Sequence, residues 1–188
     1  MENQIEEQDF NNINFLDHSF ANSYESCQFK NCNFSAGNLK CVLFIDCEFN
    51  ECDLGNVNFD HTSFQNCNFK SCKMIGLHFN NCEPFAFSIS LNDCILNHSS
   101  FYGMKLPKTI FQNSKLQEVD FSGADLSNSK FINSDLSGAV FQNTNLIKVD
   151  FLSAQNYSID PENNKIKGAK FSLDQVSGLL NKYQITIE

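Results

Sequence analysis

Phe111-Gln112-Asn113-Ser114-Lys115-Leu116-Gln117-Glu118-Val119-Asp120-Phe121-Ser122-Gly123-Ala124-Asp125-Leu126-Ser127-Asn128-Ser129-Lys130-Phe131 carries a large apolar residue at every fifth position. Outward from this stretch the same ladder runs through Phe10, Phe15 and Phe20, then from Phe29 to Phe79, and again from Leu91 to Phe151. Of the 20 Phe, only Phe85 and Phe87 lie off it once Phe171 is included, so the step of five governs the whole chain. Neither the 3.6-residue period of a helix nor the two-residue alternation of a long strand fits a strict five.

Two places before most ladder residues stands a small one: Cys27, Cys32, Cys47, Cys52, Cys67, Cys72, Cys82 and Cys94 early, then mostly Ser, Thr or Ala from Ser99 to Ala154. Residues two apart on an extended segment share a face, so both point inward. Two places after the ladder residue, Gly or Asn recurs (Asn31, Asn66, Gly76, Asn81, Gly123, Asn128, Gly138), the residue types that accept positive φ. Each unit is therefore a short strand and a corner. Phe111, Phe131 and Phe151 recur at intervals of 20, as do Phe101, Phe121 and Phe141, with Leu96-Leu116-Leu136 and Leu106-Leu126-Leu146 in the other columns. Four corners close one coil, and successive coils stack at about 4.8 Å.

Gly123-Ala124-Asp125-Leu126-Ser127 and its neighbours resemble the pentapeptide-repeat proteins over residues 10–171. The resemblance implies an all-β, right-handed quadrilateral β-helix; before it the sequence reads as an acidic tail at 1–9, and after it as a short C-terminal capping helix and short strand at 172–188.

Composition narrows the function. The chain of 188 residues has 13 Lys, no Arg, 22 acids and a net charge of -9, which repels phosphate backbones and lacks the side chain best suited to clamping them. Direct nucleic-acid binding is not expected. No run of apolar residues is long enough for a membrane span, and the acidic opening Met1-Glu2-Asn3-Gln4-Ile5-Glu6-Glu7 lacks the basic and apolar regions of a secretory signal. The expected compartment is a reducing cytoplasm. Nine Cys without a Cys-x-x-Cys, eight of them at the small inward position, read as packed thiols, with no metal or cofactor. His18, His61, His78 and His98 occupy different repeat positions and form no recognisable nucleophile arrangement, so a non-enzyme is expected.

Three breaks interrupt the ladder. The step shortens at Tyr24, and the interval from Phe79 to Leu91 is 12 where 10 is due, which makes Pro84 to Phe87 bulge. Phe85 and Phe87 then either form an exposed partner anchor or fold back over the opened corner. Beyond Asn156, residues 159–165 read as a turn-rich excursion, after which Ser172 and Gln175 suggest a capping box. Leu173, Val176, Leu179, Leu180 and Tyr183 fall on one helical stripe, and Ile185 to Ile187 on a short strand, together a candidate cap and dimer surface. Stacking at 20 places Lys105 under Asp125, Lys115 under Asp135, Lys130 under Asp150, Asp53 under Lys73 and Lys40 under Asp60. Asp46, Glu48, Glu51, Glu118 and Asp120 have no Lys one coil away, and they form the candidate anionic partner face.

The segment from Asn156 through Leu180, with the Cys-rich first half and the Pro84-Phe85 break, resembles the topoisomerase-protecting members of the family, the microcin B17 immunity and Qnr-type quinolone-resistance proteins. That resemblance implies a homodimer joined through its C-terminal caps, an acidic rod that imitates duplex DNA and binds DNA gyrase or topoisomerase IV. The alternative is a cytosolic scaffold whose partner is unrelated to topoisomerases.

Overall fold

A computed structural model describes residues 3–17 and 19–186, and they form a four-sided parallel β-helix. We number its faces in chain order from the first coil, whose inward residues are Ile5 on face 1, Phe10 on face 2, Phe15 on face 3 and Phe20 on face 4. Face 1 opens with a four-stranded sheet, Gln4–Glu6, Ser23–Glu25, Leu43–Ile45 and Ser63–Gln65. Face 2 is a nine-stranded sheet running from Asp9–Asn11 to Lys170–Phe171. Faces 3 and 4 are joined by single parallel bridges such as Lys115↔Asp135 and Ser100↔Asp120.

The register follows the numbering. Phe111 pairs with Phe131 and Phe151 with Phe171, each 20 apart. The two irregular steps fall where the ladder breaks: Phe10 pairs with Phe29 at 19, and Phe69 with Leu91 at 22. Residues 4–9, expected as a tail, instead pair with the second coil and start the rod, because Ile5 supplies the inward residue that face 1 needs.

Backbone hydrogen bonds tie each coil to the next, as in Leu126 N–H to the Asn145 carbonyl at 2.9 Å and Lys130 N–H to that of Thr109 at 3.0 Å. Corners take the left-handed conformation: φ is 69° at Gly123 and 61° at Asn128. Asn81 is the exception, lying in a 3-10 turn over Phe79–Asn81 at the edge of the bulge. Charged residues also occupy left-handed corners, among them Glu7, Asp46, Glu51, Lys108, Glu118 and Lys148.

Inside, the Phe rings stack along the rod and meet edge to face across it, the two arrangements that the ring quadrupole favours. Phe111 and Phe131 stack at 4.7 Å with planes 3° apart, while Phe111 meets Phe121 from the opposite face at 5.7 Å and 82°. The small inward positions tie neighbouring coils. The Cys47 thiol donates to the Tyr24 carbonyl at 3.4 Å and the Cys72 thiol to that of Phe49 at 3.3 Å. In later coils the Ser129 and Thr144 hydroxyls make the same bond to Leu106 and Phe121, at 2.8 and 3.0 Å. Cys and Ser are thus used interchangeably at one geometric position.

All nine cysteines are free thiols; eight are buried and only Cys41, at a left-handed corner, is exposed. Burial pushes the Cys47 thiol up to about 12 and raises those of Cys67 and Cys82 as well. Since a reagent must reach the sulfur and only Cys41 is exposed, a disulfide reagent added to the native protein near neutral pH should label one site rapidly. Denaturation should release the other eight. Rapid labelling of several sites in the folded protein contradicts the packed-thiol arrangement.

The expected short C-terminal helix is present over Leu173–Leu179 as a 3-10 helix, followed by a second over Asn181–Tyr183, but Ser172 makes no side-chain cap. The reason lies in the last coil, where the Gln175 side-chain oxygen accepts from the Asn156 N–H at 3.2 Å and is not free for a capping box. Gly178 seats the segment by lying against Tyr157, and its carbonyl accepts from Ile159 N–H at 3.0 Å. Lys182 ties the turns to the excursion through Asp160 at 2.7 Å and Glu162 at 2.6 Å. The apolar stripe is not a common buried face: Leu179 and Leu180 are half-buried, whereas Leu173, Val176, Tyr183 and Ile185 are exposed. Ile185 and Thr186 are not in a strand, and Ile187 lies outside the described residues.

Candidate partner-binding surface

The stacking rule places the charges correctly but not their contacts. Lys105↔Asp125, Lys115↔Asp135 and Lys130↔Asp150 are registered neighbours, yet of the five expected pairs only Lys73–Asp53 closes an ion pair among the described residues, at 3.0 Å. Short amide and hydroxyl donors outcompete the long Lys side chain, whose ordering costs entropy. Asp125 accepts from Asn145 at 2.8 Å, and Asp60 from Asn81 at 2.9 Å. Asp135 accepts from Ser137 Oγ at 2.6 Å, Gln117 at 2.7 Å and Asn156 at 2.8 Å. Partial burial of Asp135 acts to raise its pKa, but the donors from Asn156, Ser137 and Gln117 outweigh it and hold the carboxyl at about 2.

The five acids expected to form one anionic face are divided. Asp46, Glu48 and Glu51 lie on the third coil, at the corner of faces 1 and 2, on face 2 and at the corner of faces 2 and 3. Glu118 and Asp120 lie on the sixth coil, at the corner of faces 3 and 4 and on face 4, which is opposite face 2. Glu118 is also not unpaired: its carboxylate sits 3.2 Å from His98 Nδ1, a partner that a rule counting only Lys overlooks. Asp46 accepts from Asn66 at 2.6 Å, and Asp120 from the Ser122 N–H at 2.8 Å.

Another arrangement replaces the expected patch. Residues 1–60 hold 11 acids and 2 Lys, whereas 61–188 hold 11 of each, so the entire net charge resides in the first third. On faces 1 and 2 of the first three coils, Glu6, Glu7, Asp9 and Glu25 join Asp46, Glu48 and Glu51, with Lys30 the one cation among these outward positions. The corresponding surface of coils six to nine carries Lys105, Lys108, Lys130, Lys148, Lys165, Lys167 and Lys170, against Asp125 and Asp150. Counting charge separately for the first third, with residues before Phe10 included, is the sequence signal that reveals this polarity.

Between the two halves lies the bulge. Phe85 is 75% exposed, while Phe87 turns inward as the fifth rung of face 1 and approaches Phe64 and Phe79 edge to face at 6.4 and 6.5 Å. Phe85 is thus exposed, and Phe87 folds back over the opened corner. Beside Phe85 is an open cavity of 470 Å³, lined among others by Cys82, Phe87, Met104 and Tyr102, the last 61% exposed and not anticipated from the sequence. Among the described residues, no group of His, Cys, Asp and Glu is placed to hold a metal, and no helix is long and apolar enough to cross a membrane.

The family model described as pentapeptide repeat region matches residues 22–101, 42–121 and 85–151. Among solved structures, a trypsin-treated variant of QnrB1, described as a plasmid-mediated fluoroquinolone resistance protein, is 21% identical, covering 98% of this chain and 97% of that one with a TM-score of 0.49. Full-length QnrB1 is 20% identical, covering 97% of this chain and 100% of that one with a TM-score of 0.39. HetL from the cyanobacterium Nostoc sp. strain PCC 7120, described as involved in heterocyst differentiation regulation, is 15% identical, covering 92% of this chain and 87% of that one with a TM-score of 0.30. No curated protein matches the chain.

Proposed function

Because this chain belongs to the pentapeptide-repeat family, we propose that it is a non-enzymatic binding rod whose acidic N-terminal third docks on a cationic protein surface. The observation that carries this reading is the segregation of charge, with seven acids and one Lys on adjoining outward positions of faces 1 and 2 over three coils. Carboxylates carried on β-rungs of ~4.8 Å spacing have their backbone positions fixed, so docking costs little backbone entropy beyond association itself. Among cationic surfaces, the DNA-binding surface of a type II topoisomerase, DNA gyrase or topoisomerase IV, is the candidate that the sequence resemblance puts first. On that reading the acidic third occupies part of the DNA path and counters inhibitors that trap the enzyme on DNA.

A second reading is a scaffold with a partner unrelated to topoisomerases. It is favoured by the balanced charge of residues 61–188, which leaves no continuous anionic stripe along the rod.

A gyrase supercoiling assay with and without a quinolone separates the two. The topoisomerase reading predicts that purified protein changes supercoiling or restores it in the presence of drug, and that binding weakens as salt rises. No effect at any ratio, together with no binding, leaves the scaffold reading. Glu25→Gln, Asp46→Asn and Glu48→Gln combined should weaken binding to the cationic partner about tenfold or more at low salt. Glu118→Gln with Asp120→Asn, on the other side of the rod, should leave it nearly unchanged. Equal losses from both sets indicate that only net charge matters.

A further inference from the structure

We propose that the surface along faces 1 and 2 is self-complementary and docks a second copy of this chain, antiparallel, about a twofold axis through the fifth coil. The inference goes beyond the proposed function and does not depend on which partner the acidic third engages. Face 1 has nine rungs, Ile5, Tyr24, Phe44, Phe64, Phe87, Leu106, Leu126, Leu146 and Ile166, and Phe87 is the middle one. A twofold axis there sends the first coil onto the ninth of the other copy, the second onto the eighth and the third onto the seventh. Glu6, Glu7 and Asp9 then oppose Lys165, Lys167 and Lys170. Glu25 opposes Lys148, and Asp46 with Glu48 opposes Lys130. A twofold contact uses one patch on both subunits, so each acidic-to-basic match occurs twice.

Within one chain the opposed acids and lysines cannot meet. The first and ninth coils are eight steps apart, roughly 38 Å at ~4.8 Å per step, several times the screening length of about 8–10 Å in physiological salt. At the axis an aromatic pair stands among Asn80, Glu83 and Lys105 at the corner of faces 4 and 1. Exposed Phe85 and Tyr102 flank the 470 Å³ cavity, whose lining includes Met104 and Phe87, and the axis brings Phe85 of each copy beside the cavity of the other. An aromatic anchor at the axis, with complementary charge toward both ends of the rod, combines the two features that carry binding energy and orientation in interfaces. Self-docking also covers the acidic third, so a cationic partner and a second copy compete for it.

Sedimentation equilibrium of the full chain at about 0.05 M and about 0.5 M salt tests the proposal, because the matched charges are screened at the higher concentration. The expected result is a dimer at low salt that weakens at least about tenfold at high salt. Lys165→Glu, Lys167→Glu and Lys170→Glu together should give monomer. Adding Glu6→Lys, Glu7→Lys and Asp9→Lys to that variant should restore the dimer, which shows that the monomer was folded and that the two ends meet. Phe85→Asp should weaken the dimer by at least about tenfold. Leu173→Asp with Val176→Asp should leave it intact. A monomer at low salt, a dimer indifferent to the triple reversal, a charge-swapped protein that stays monomeric, or a dimer lost only with the Leu173 and Val176 changes overturns the proposal; the last places the contact at the C-terminal end.

Discussion

Replacing Phe121 by Ala should cost about 3–5 kcal/mol of stability, the range for deleting a fully buried aromatic ring. Phe121 is completely buried and sits where both packing modes intersect. It stacks on Phe101 at 5.4 Å and Phe141 at 5.2 Å, and meets Phe111 and Phe131 edge to face at 5.7 Å each. Its removal opens a void in the sixth coil between the Phe101 and Phe141 rings, and the parallel rungs above and below are held in register by main-chain bonds and cannot close over it. Phe121→Leu keeps most of the volume and places in this column the residue used on faces 1 and 3, so the loss should fall to about 1–1.5 kcal/mol. Phe85→Ala, at a ring that is largely exposed, should change monomer stability by less than about 0.5 kcal/mol. Urea unfolding of the three variants at high salt, where self-docking is weakened, gives the comparison. A loss at Phe121→Ala no larger than that at Phe85→Ala contradicts the central packing of this column.

Gly178→Ala should be nearly as damaging, at about 3 kcal/mol, through overpacking with the loss of a hydrogen bond. A Cβ at this position overlaps the Tyr157 carbonyl oxygen and lies 2.8 Å from its ring, so backbone must move. That movement separates Gly178 from Ile159, whose N–H bond to the Gly178 carbonyl anchors the turns to the last coil. It also uncovers Tyr157, whose buried ring contacts Phe151 and Phe171 at 5.6 Å each. Gly103→Ala is the control. At Gly103 there is open space, and only the positive φ of 67° opposes a side chain, which costs about 1–2 kcal/mol. Hydrogen exchange separates the two outcomes: Gly178→Ala should increase exchange over 157–183 selectively, and Gly103→Ala should not. Equal behaviour of the two variants means that the close approach at Gly178 is not what seats the cap.

By itself the sequence determined the coil. The five-residue step, the small residue two places before most ladder positions and the Gly or Asn that recurs two places after them are each consequences of one backbone geometry repeated, so they survive as a one-dimensional pattern. Face columns, and both irregular steps at Tyr24 and Pro84–Phe87, follow from counting in twenties. Eight cysteines at the inward small position were legible for the same reason.

Only tertiary structure decided what lies outside the repeat. Whether Phe85 or Phe87 points outward depends on how two extra residues are taken up at one corner, and no periodicity fixes that. The diversion of Gln175 to the Asn156 N–H and the close packing of Gly178 on Tyr157 arise between segments about 20 residues apart in the irregular end, where the repeat no longer predicts neighbours. Charge position was readable, but charge contact was not: a Lys stacked beneath an Asp forms an ion pair only if no shorter donor reaches the carboxylate first, as Asn145 does at Asp125. The opposition of Glu48 and Asp120 across the rod is already contained in the columns, and a search for acids without a stacked Lys passes over it because that search ignores which face each acid occupies.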